Sequence, residues 1–490
     1  MNAVSPQAHY YHWIDRWLFP LSFALVILVY FFTAPRGITW LHFGTDGGEL
    51  ITASMTGGVP HPTGYAPYML LSRLFAVFPI GQNVAHRYNL FSSLCMALAA
   101  AQIYFLIVYP AQGSPAWGSL LMLSWAFTPL VWSQALIAEV YALNLFFVSS
   151  GLSFGIYLYL SNRTNGGTEI FLFGLLIGLA ALSHLTSLFL FLFVALVLFR
   201  LYFQKGAPFY TLILFGLGGL LPIVISVILF YQRALGDSPI VWGNLSQAGN
   251  IWWIMSGSLY RANLLRSDFS EIVQRVTDWS ITFFYNWTWV GWLPIALLSF
   301  SELEVSSARR WPALTLLLTA ALYFTYGLTY GTPDALVFTM PAMLMLCVGF
   351  GLLHDSAKRI NPWYILLPIC LLLINLPTFR DSDVEEIVTT VNSIFEELPE
   401  EAVALTDGQD KTIFTLWYFH YVEERRPDIV LVDQNLMAFD WYRERVARLY
   451  PQIKGLEEDN VSQFIEENRQ IGALCKVSSD PASVDCIDDD

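Results

Sequence analysis

Apolar stretches long enough to cross a bilayer recur along most of this 490-residue chain. They fall at 17–33, 88–108, 115–133, 141–160, 170–183, 187–204, 209–231, 279–300, 312–331, 335–353 and 363–379, punctuated by Gly, Pro or charge. A helix of about 20 apolar residues crosses the hydrocarbon and bonds its own backbone there. The series predicts a mainly α, polytopic membrane protein of about 11 transmembrane helices, several of them short. Only 13% of residues are charged, against about 25% in a soluble chain. At Ser183-His184, one long helix could simply kink.

Charge divides the chain into two bodies. Residues 1–379 carry a net +2 and residues 380–490 a net −16. We read 1–379 as a transmembrane block and 380–490 as an acidic soluble domain. The acidity excludes a nucleic-acid binder, since nothing here neutralises phosphates. In the tail, 402–406 reads as a strand, Asp407-Gly408 as a turn, 412–424 as a helix and 429–432 as a second strand, a small α/β unit without a Gly-rich phosphate loop. Cys475 and Cys486 pair if the tail faces an oxidising compartment; Cys95, Cys347 and Cys370 lie in apolar runs as small core residues.

Basic residues of short loops orient the block. Arg16, Arg163, Arg200, Lys205, Arg309, Arg310, Lys358 and Arg359 fall on one side, and the opposite short loops carry no Lys or Arg. The N-terminus is then cytoplasmic, the first apolar run an uncleaved anchor, and the protein a multi-pass plasma-membrane protein. Loops 34–87 and 232–278 and the C-terminal domain face outward. Residues 68–78, apolar with Arg73 inside, suit a helix lying in the interface. The Trp-rich loop 232–278 is expected to rest on the membrane surface.

Carboxylates at the mouth of a bilayer are costly and seldom decorative. Asp46 and Glu49 follow the first span, three apart, so they share a face if that turn is helical. They read as a general base with a positioning carboxylate, or as an N-cap with a first-turn acid. Gly47-Gly48 would let backbone approach a ligand closely. His61-Pro62-Thr63-Gly64-Tyr65 is a rigid turn that suits binding or is simply a surface turn. Arg87 with Asn89 binds phosphate or anchors a helix at the headgroups. Asp46, Glu49, Glu139 and Asp334 sit in short loops or at helix mouths, where they could converge on one outward cavity, and His184 lies at another outward break. No cluster has metal-ligand spacing, so neither a protein-held metal nor a cofactor is expected.

Together these segments resemble a known family. Asp46-Gly-Gly-Glu-Leu-Ile, Gly58-Val-Pro-His61-Pro-Thr-Gly-Tyr65 and Arg87-Tyr-Asn89-Leu-Phe-Ser-Ser resemble a large integral-membrane family. It includes the eukaryotic O-mannosyltransferase of plexin-type receptor domains. So do the segments around Glu139, His184, Trp242, Asp334 and Asp407-Gly408. Pro60 stands where Ala is usual, Thr63 where Pro is usual, and Ser183 where Asn or His is usual. That family is similar to the GT-C glycosyltransferases. The resemblance implies a GT-C-like fold and an inverting transfer of a sugar, mannose favoured, from a polyprenyl-phosphate donor to an acceptor hydroxyl, protein Ser/Thr first, a glycan or lipid second. Asp46 would be the catalytic base; Arg87, His61 and His184 would meet the phosphate. Glu49, Tyr65, Asn89, Glu139, Trp242 and Asp334 would bind substrate. A flippase of lipid-linked sugars is the alternative; it would place its acids near the midplane.

Overall fold

The computed structural model describes residues 15–161, 166–283, 307–353, 362–380, 382–469 and 473–487. Among them, six helices are long and apolar enough to cross a membrane: Asp15–Thr33, Val84–Val108, Val140–Leu160, Leu185–Gln204, Tyr210–Ala234 and Ala308–Thr329. A bent pair, Trp363–Asn375 and Thr378–Glu397, adds a seventh if counted as one span, and Gly167–Ser183 and Val337–Leu353 are shorter apolar helices. The protein is a multi-pass membrane protein. Most of the expected segment 279–300 lies outside the described residues.

One expected segment resolves differently, and one open alternative is decided. The 115–133 stretch breaks into helices Pro115–Ala126 and Pro129–Ala135. Thr128 precedes Pro129, whose ring excludes the helical region for its neighbour, and it is extended at φ −66°, ψ 139°. At 170–204 the break is complete: His184 is extended, φ −164° and ψ 132°, between the two helices. Helix Gly167–Ser183 packs on Tyr210–Ala234 with almost no side chain between them. A Cβ on Gly174 would lie 2.1 Å from the Phe215 carbonyl oxygen, and one on Gly218 2.1 Å from that of Phe171. Small residues that allow such approach are how helices associate in lipid.

Helix Ala66–Ala76 overlaps the apolar segment 68–78: Tyr68, Met69 and Ser72 are buried, while Leu70, Leu71 and Leu74 are exposed. Loop 232–278 contains helices Ala248–Met255 and Phe269–Phe283 around a tight turn, Ser258–Asn263.

The tail is an α/β unit with a four-stranded sheet: β1 Val403–Thr406, β2 Val430–Asp433, β3 Leu474–Ser479 and β4 Ala482–Cys486, in the order β2-β1-β3-β4. β1 pairs in parallel with β2 and β3, and β4 closes antiparallel on β3. Helix Val384–Glu397 buries Ile387, Val391, Ile394 and Phe395, one amphipathic face. The two final strands were not anticipated, because their short mixed runs carry little periodic signal. Cys475 and Cys486, opposite each other across β3 and β4, form a disulfide.

The tail docks on the block through its first loop. Asp383 accepts from the Thr39 hydroxyl at 2.5 Å and from the Trp40 N–H at 2.7 Å. Helix Asp410–Trp417 lies against helix Gly47–Thr56, and Trp40 Nε1 donates to Thr415 Oγ1 at 2.9 Å. A Cβ on Gly48 would stand 2.3 Å from the Phe414 carbonyl oxygen. Gly48 therefore serves the tail's backbone, where the sequence had suggested a ligand. Gly48→Ala forces two backbones apart, an overpacking worth about 1–3 kcal/mol. We expect a lower thermal midpoint and faster proteolysis at 398–410; unchanged values would contradict this docking.

Candidate active site

The loop after the first helix is held in an unusual shape. Residues Leu41–Asp46 form a tight turn in which His42 and Phe43 adopt positive φ, 61° and 65°. Such conformations cost about 1–3 kcal/mol each and persist where the surroundings impose them. Here Gln134 Nε2 donates to the His42 carbonyl at 2.7 Å. The turn delivers Asp46 to the N-cap position of helix Gly47–Thr56, yet its side chain makes no capping hydrogen bond. Instead it lines a cavity of about 460 Å³, with 40% of its surface open.

One helical turn on, Glu49 is fully buried and does not line the cavity. It accepts the His61 backbone N–H at 3.1 Å and pairs with His61 Nδ1. The other ring nitrogen, His61 Nε2, is 3.7 Å from Asp46 Oδ2 and 3.2 Å from the Tyr65 hydroxyl, which donates to the Pro62 carbonyl. His61 thus bridges the two acids. Burial alone would lower its pKa, but the charges of Glu49 and Asp46 prevail and raise it to about 10, so the ring is an imidazolium at neutral pH. The Asp46 pKa rises to about 7: enclosure by the protein raises it, His61 opposes, and Glu49, Asp410 and Asp334 add repulsion.

The remaining walls come from five other regions. Glu139, only 3% exposed, caps helix Val140–Leu160 by accepting the Val140 N–H at 3.3 Å and lines the cavity. Asp334 accepts from the Tyr141 hydroxyl at 3.2 Å. His184 lies between Tyr141 and Phe338, ring centroids 5.4 and 5.3 Å away. Its Nδ1 accepts the Thr186 N–H at 3.4 Å. Burial, then repulsion from His61, lowers its pKa to about 4, so it offers the cavity a neutral N–H donor. Val59 pairs with Val241 across loops 34–87 and 232–278, which sets Trp242 edge-on to His61 at 6.2 Å.

Three expected substrate contacts stand off the cavity: Glu49, buried behind His61, and Arg87 and Asn89. Arg87 does not line the cavity; its Nη1 donates to the Ala76 carbonyl at 3.1 Å and secures the end of helix Ala66–Ala76. Asn89 is buried, its amide donating at 2.9 Å to the carbonyls of Pro35 and Gly37, so it braces the first loop. A different cation reaches the cavity: Arg261, with its neighbour Tyr260. The tail contributes Asp410 and Phe414. Although its side chain is open to the cavity, enclosure by the surrounding protein, with Glu49 repulsion next, raises the Asp410 pKa to about 6. None of these was legible in sequence, because Arg261 is one of several arginines in a long loop and nothing local says the tail folds back. Among the described residues, no three His, Cys, Asp or Glu side chains converge as a metal-holding group.

Residues 46–207 match the protein O-mannosyl-transferase TMEM260 N-terminal domain. Over 91% of its length the chain is 26% identical to protein O-mannosyl-transferase TMEM260 of Mus musculus, spanning 69% of that protein. Its fold is shared with ArnT of Cupriavidus metallidurans, solved bound to undecaprenyl phosphate: TM-score 0.61 at 12% identity, covering 94% of this chain and 93% of that one. In sequence the chain is similar to the protein O-mannosyltransferases, and in fold to ArnT. The Dictyostelium discoideum protein tmem260 is 23% identical over 84% of this chain, which spans 57% of it. Asp46, the open acid of the cavity, is the first residue of the matched segment.

Proposed function

We propose that this chain is a glycosyltransferase that moves mannose from a polyprenyl-phosphate carrier to an acceptor hydroxyl, Ser or Thr of a protein, with inversion at the anomeric carbon. The carrying observation is an open carboxylate, Asp46, facing a cavity and backed by the buried His61–Glu49 pair. Asp46 takes the acceptor's hydroxyl proton as that oxygen bonds the anomeric carbon. The bond from that carbon to the phosphate oxygen breaks, and the lipid phosphate leaves as an anion, so no general acid is required. Arg261, with the N–H of His184, meets the leaving charge; no divalent ion enters this scheme.

The walls suit a sugar. Thr63 Oγ1, Thr332 Oγ1 and Trp242 Nε1 are buried without hydrogen-bond partners among the described residues, and all three residues line the cavity. Buried polar groups are normally satisfied, so these atoms await a polar ligand. Glu139 and Asp334 add acceptors for sugar hydroxyls. The volume is within the usual range for small-ligand sites. Glu49 and Tyr65 act through His61, holding it against Asp46. The polyprenyl chain would lie among the lipid-facing helices.

The basic loops and the Cys475–Cys486 disulfide support an extracytoplasmic site at the plasma membrane, with residues 380–490 as an outward domain. The titrations predict a bell-shaped kcat/KM. Activity falls as pH drops below about 7, where Asp46 is protonated and cannot accept a proton, and falls again towards about 10, where His61 loses its charge. A profile flat from pH 5 to 9 would contradict this. The reading is tested by offering the purified enzyme polyprenyl-phosphate sugars and candidate peptides, glycans and lipids, with mass spectrometry of products. Mannosylated peptide with release of polyprenyl phosphate is expected. Sugar-lipid crossing a vesicle intact, with no release, would overturn it in favour of a flippase.

A further inference from the structure

We infer that Asp410, a residue of the soluble tail, positions the acceptor, and that it favours acceptors carrying a Lys or Arg beside the reactive hydroxyl. The inference rests on the transfer reading above and adds a specificity residue to it.

Asp410 and Phe414 are one helical turn apart and both line the cavity. The helix that bears them is fixed from several sides. Its backbone abuts Gly48, and Thr415 accepts from Trp40. Lys411 lies over the Trp40 ring at 3.9 Å and pairs with Asp480 at 2.7 Å. The acids around it are engaged: Asp407 accepts the Gln409 N–H at 3.1 Å, and Asp480 holds Lys411. Asp410 is exposed towards the cavity and has no hydrogen bond or ion pair among the described residues. A donor held by its lipid tail arrives through the bilayer, whereas a polypeptide arrives from water, past the tail. Asp410 is thus a free carboxylate on the wall the acceptor passes. Lys411, bound to Asp480, does not neutralise it, so a cation on the acceptor would. The competing account is that Asp410 only stabilises its helix N-terminus.

The test pairs Ser/Thr peptides that differ by Lys or Glu next to the hydroxyl. Their acceptor KM, and their binding by calorimetry, are measured for the intact enzyme and for Asp410→Asn, Asp410→Glu and Asp410→Lys. We expect Asp410→Asn to raise KM for the Lys peptide about fivefold, the worth of one partly exposed ion pair, with donor KM unmoved. Asp410→Glu should restore the preference, and Asp410→Lys should reverse it towards the Glu peptide. A lower thermal midpoint with unaltered peptide preference would overturn the inference and leave the helix-stabilising role. Peptide preference without any transfer in the wild-type enzyme would count against mannosyl transfer while supporting Asp410.

Discussion

Asp46→Asn folds normally and transfers sugar about 10²–10⁴-fold more slowly than the wild-type enzyme, the usual cost of losing a positioned general base. The fold survives because the carboxylate makes no capping bond and is 40% open to the cavity, so an isosteric amide disturbs little. The loss falls on kcat and kcat/KM alike, since proton removal matters only in the transition state. The acidic limb of the pH profile disappears with it. Thermal unfolding in detergent checks the first half, and steady-state transfer the second. A rate within tenfold of wild type at an intact midpoint would remove Asp46 from the chemistry.

Glu49→Gln is expected to damage both stability and transfer. The Glu49 side chain is fully buried and its carboxylate pairs with His61, itself 7% exposed. Breaking one partner of such a pair typically costs about 3–5 kcal/mol, because the other charge is left buried and unmatched. His61 can shed its proton, which softens the loss and removes the positive charge beside Asp46. That charge holds the Asp46 pKa down more strongly than Glu49 pushes it up, so the acidic limb of the rate profile moves to higher pH. A depressed thermal midpoint with transfer reduced more than tenfold at pH 7 is the expected outcome. A variant as stable and as fast as wild type would show that the buried pair does not support the base.

The difference between Glu49 and Asp46 marks where sequence reading reached its limit. Three-residue spacing correctly put both acids on one helical turn, but spacing cannot say which one opens to a cavity. That depends on His61, twelve residues on, folding back between them. Likewise, Arg87 and Asn89 look available in a list of polar residues; in the fold their donors are consumed by the carbonyls of Ala76, Pro35 and Gly37. Arg261 and Asp410 carry no local sign of their place, since each reaches the cavity only through contacts between distant segments. Gly48 shows the same limit: a glycine announces close approach, yet not whether ligand or backbone approaches. The membrane helices were far more legible, because a span is written in local composition; the break at Pro129 went unread within the expected span 115–133, although its cause is local stereochemistry.

The central claim is geometric: a lipid-borne sugar sits in this cavity with its reactive carbon beside Asp46. A structure of the enzyme with a non-transferable polyprenyl-phosphate mannose tests it directly. The account predicts the phosphate at Arg261, the sugar against Trp242 and Asp334, and Asp46 within hydrogen-bond reach of an acceptor hydroxyl placed opposite the phosphate. A donor bound elsewhere, or a sugar whose anomeric carbon faces away from Asp46, would contradict it.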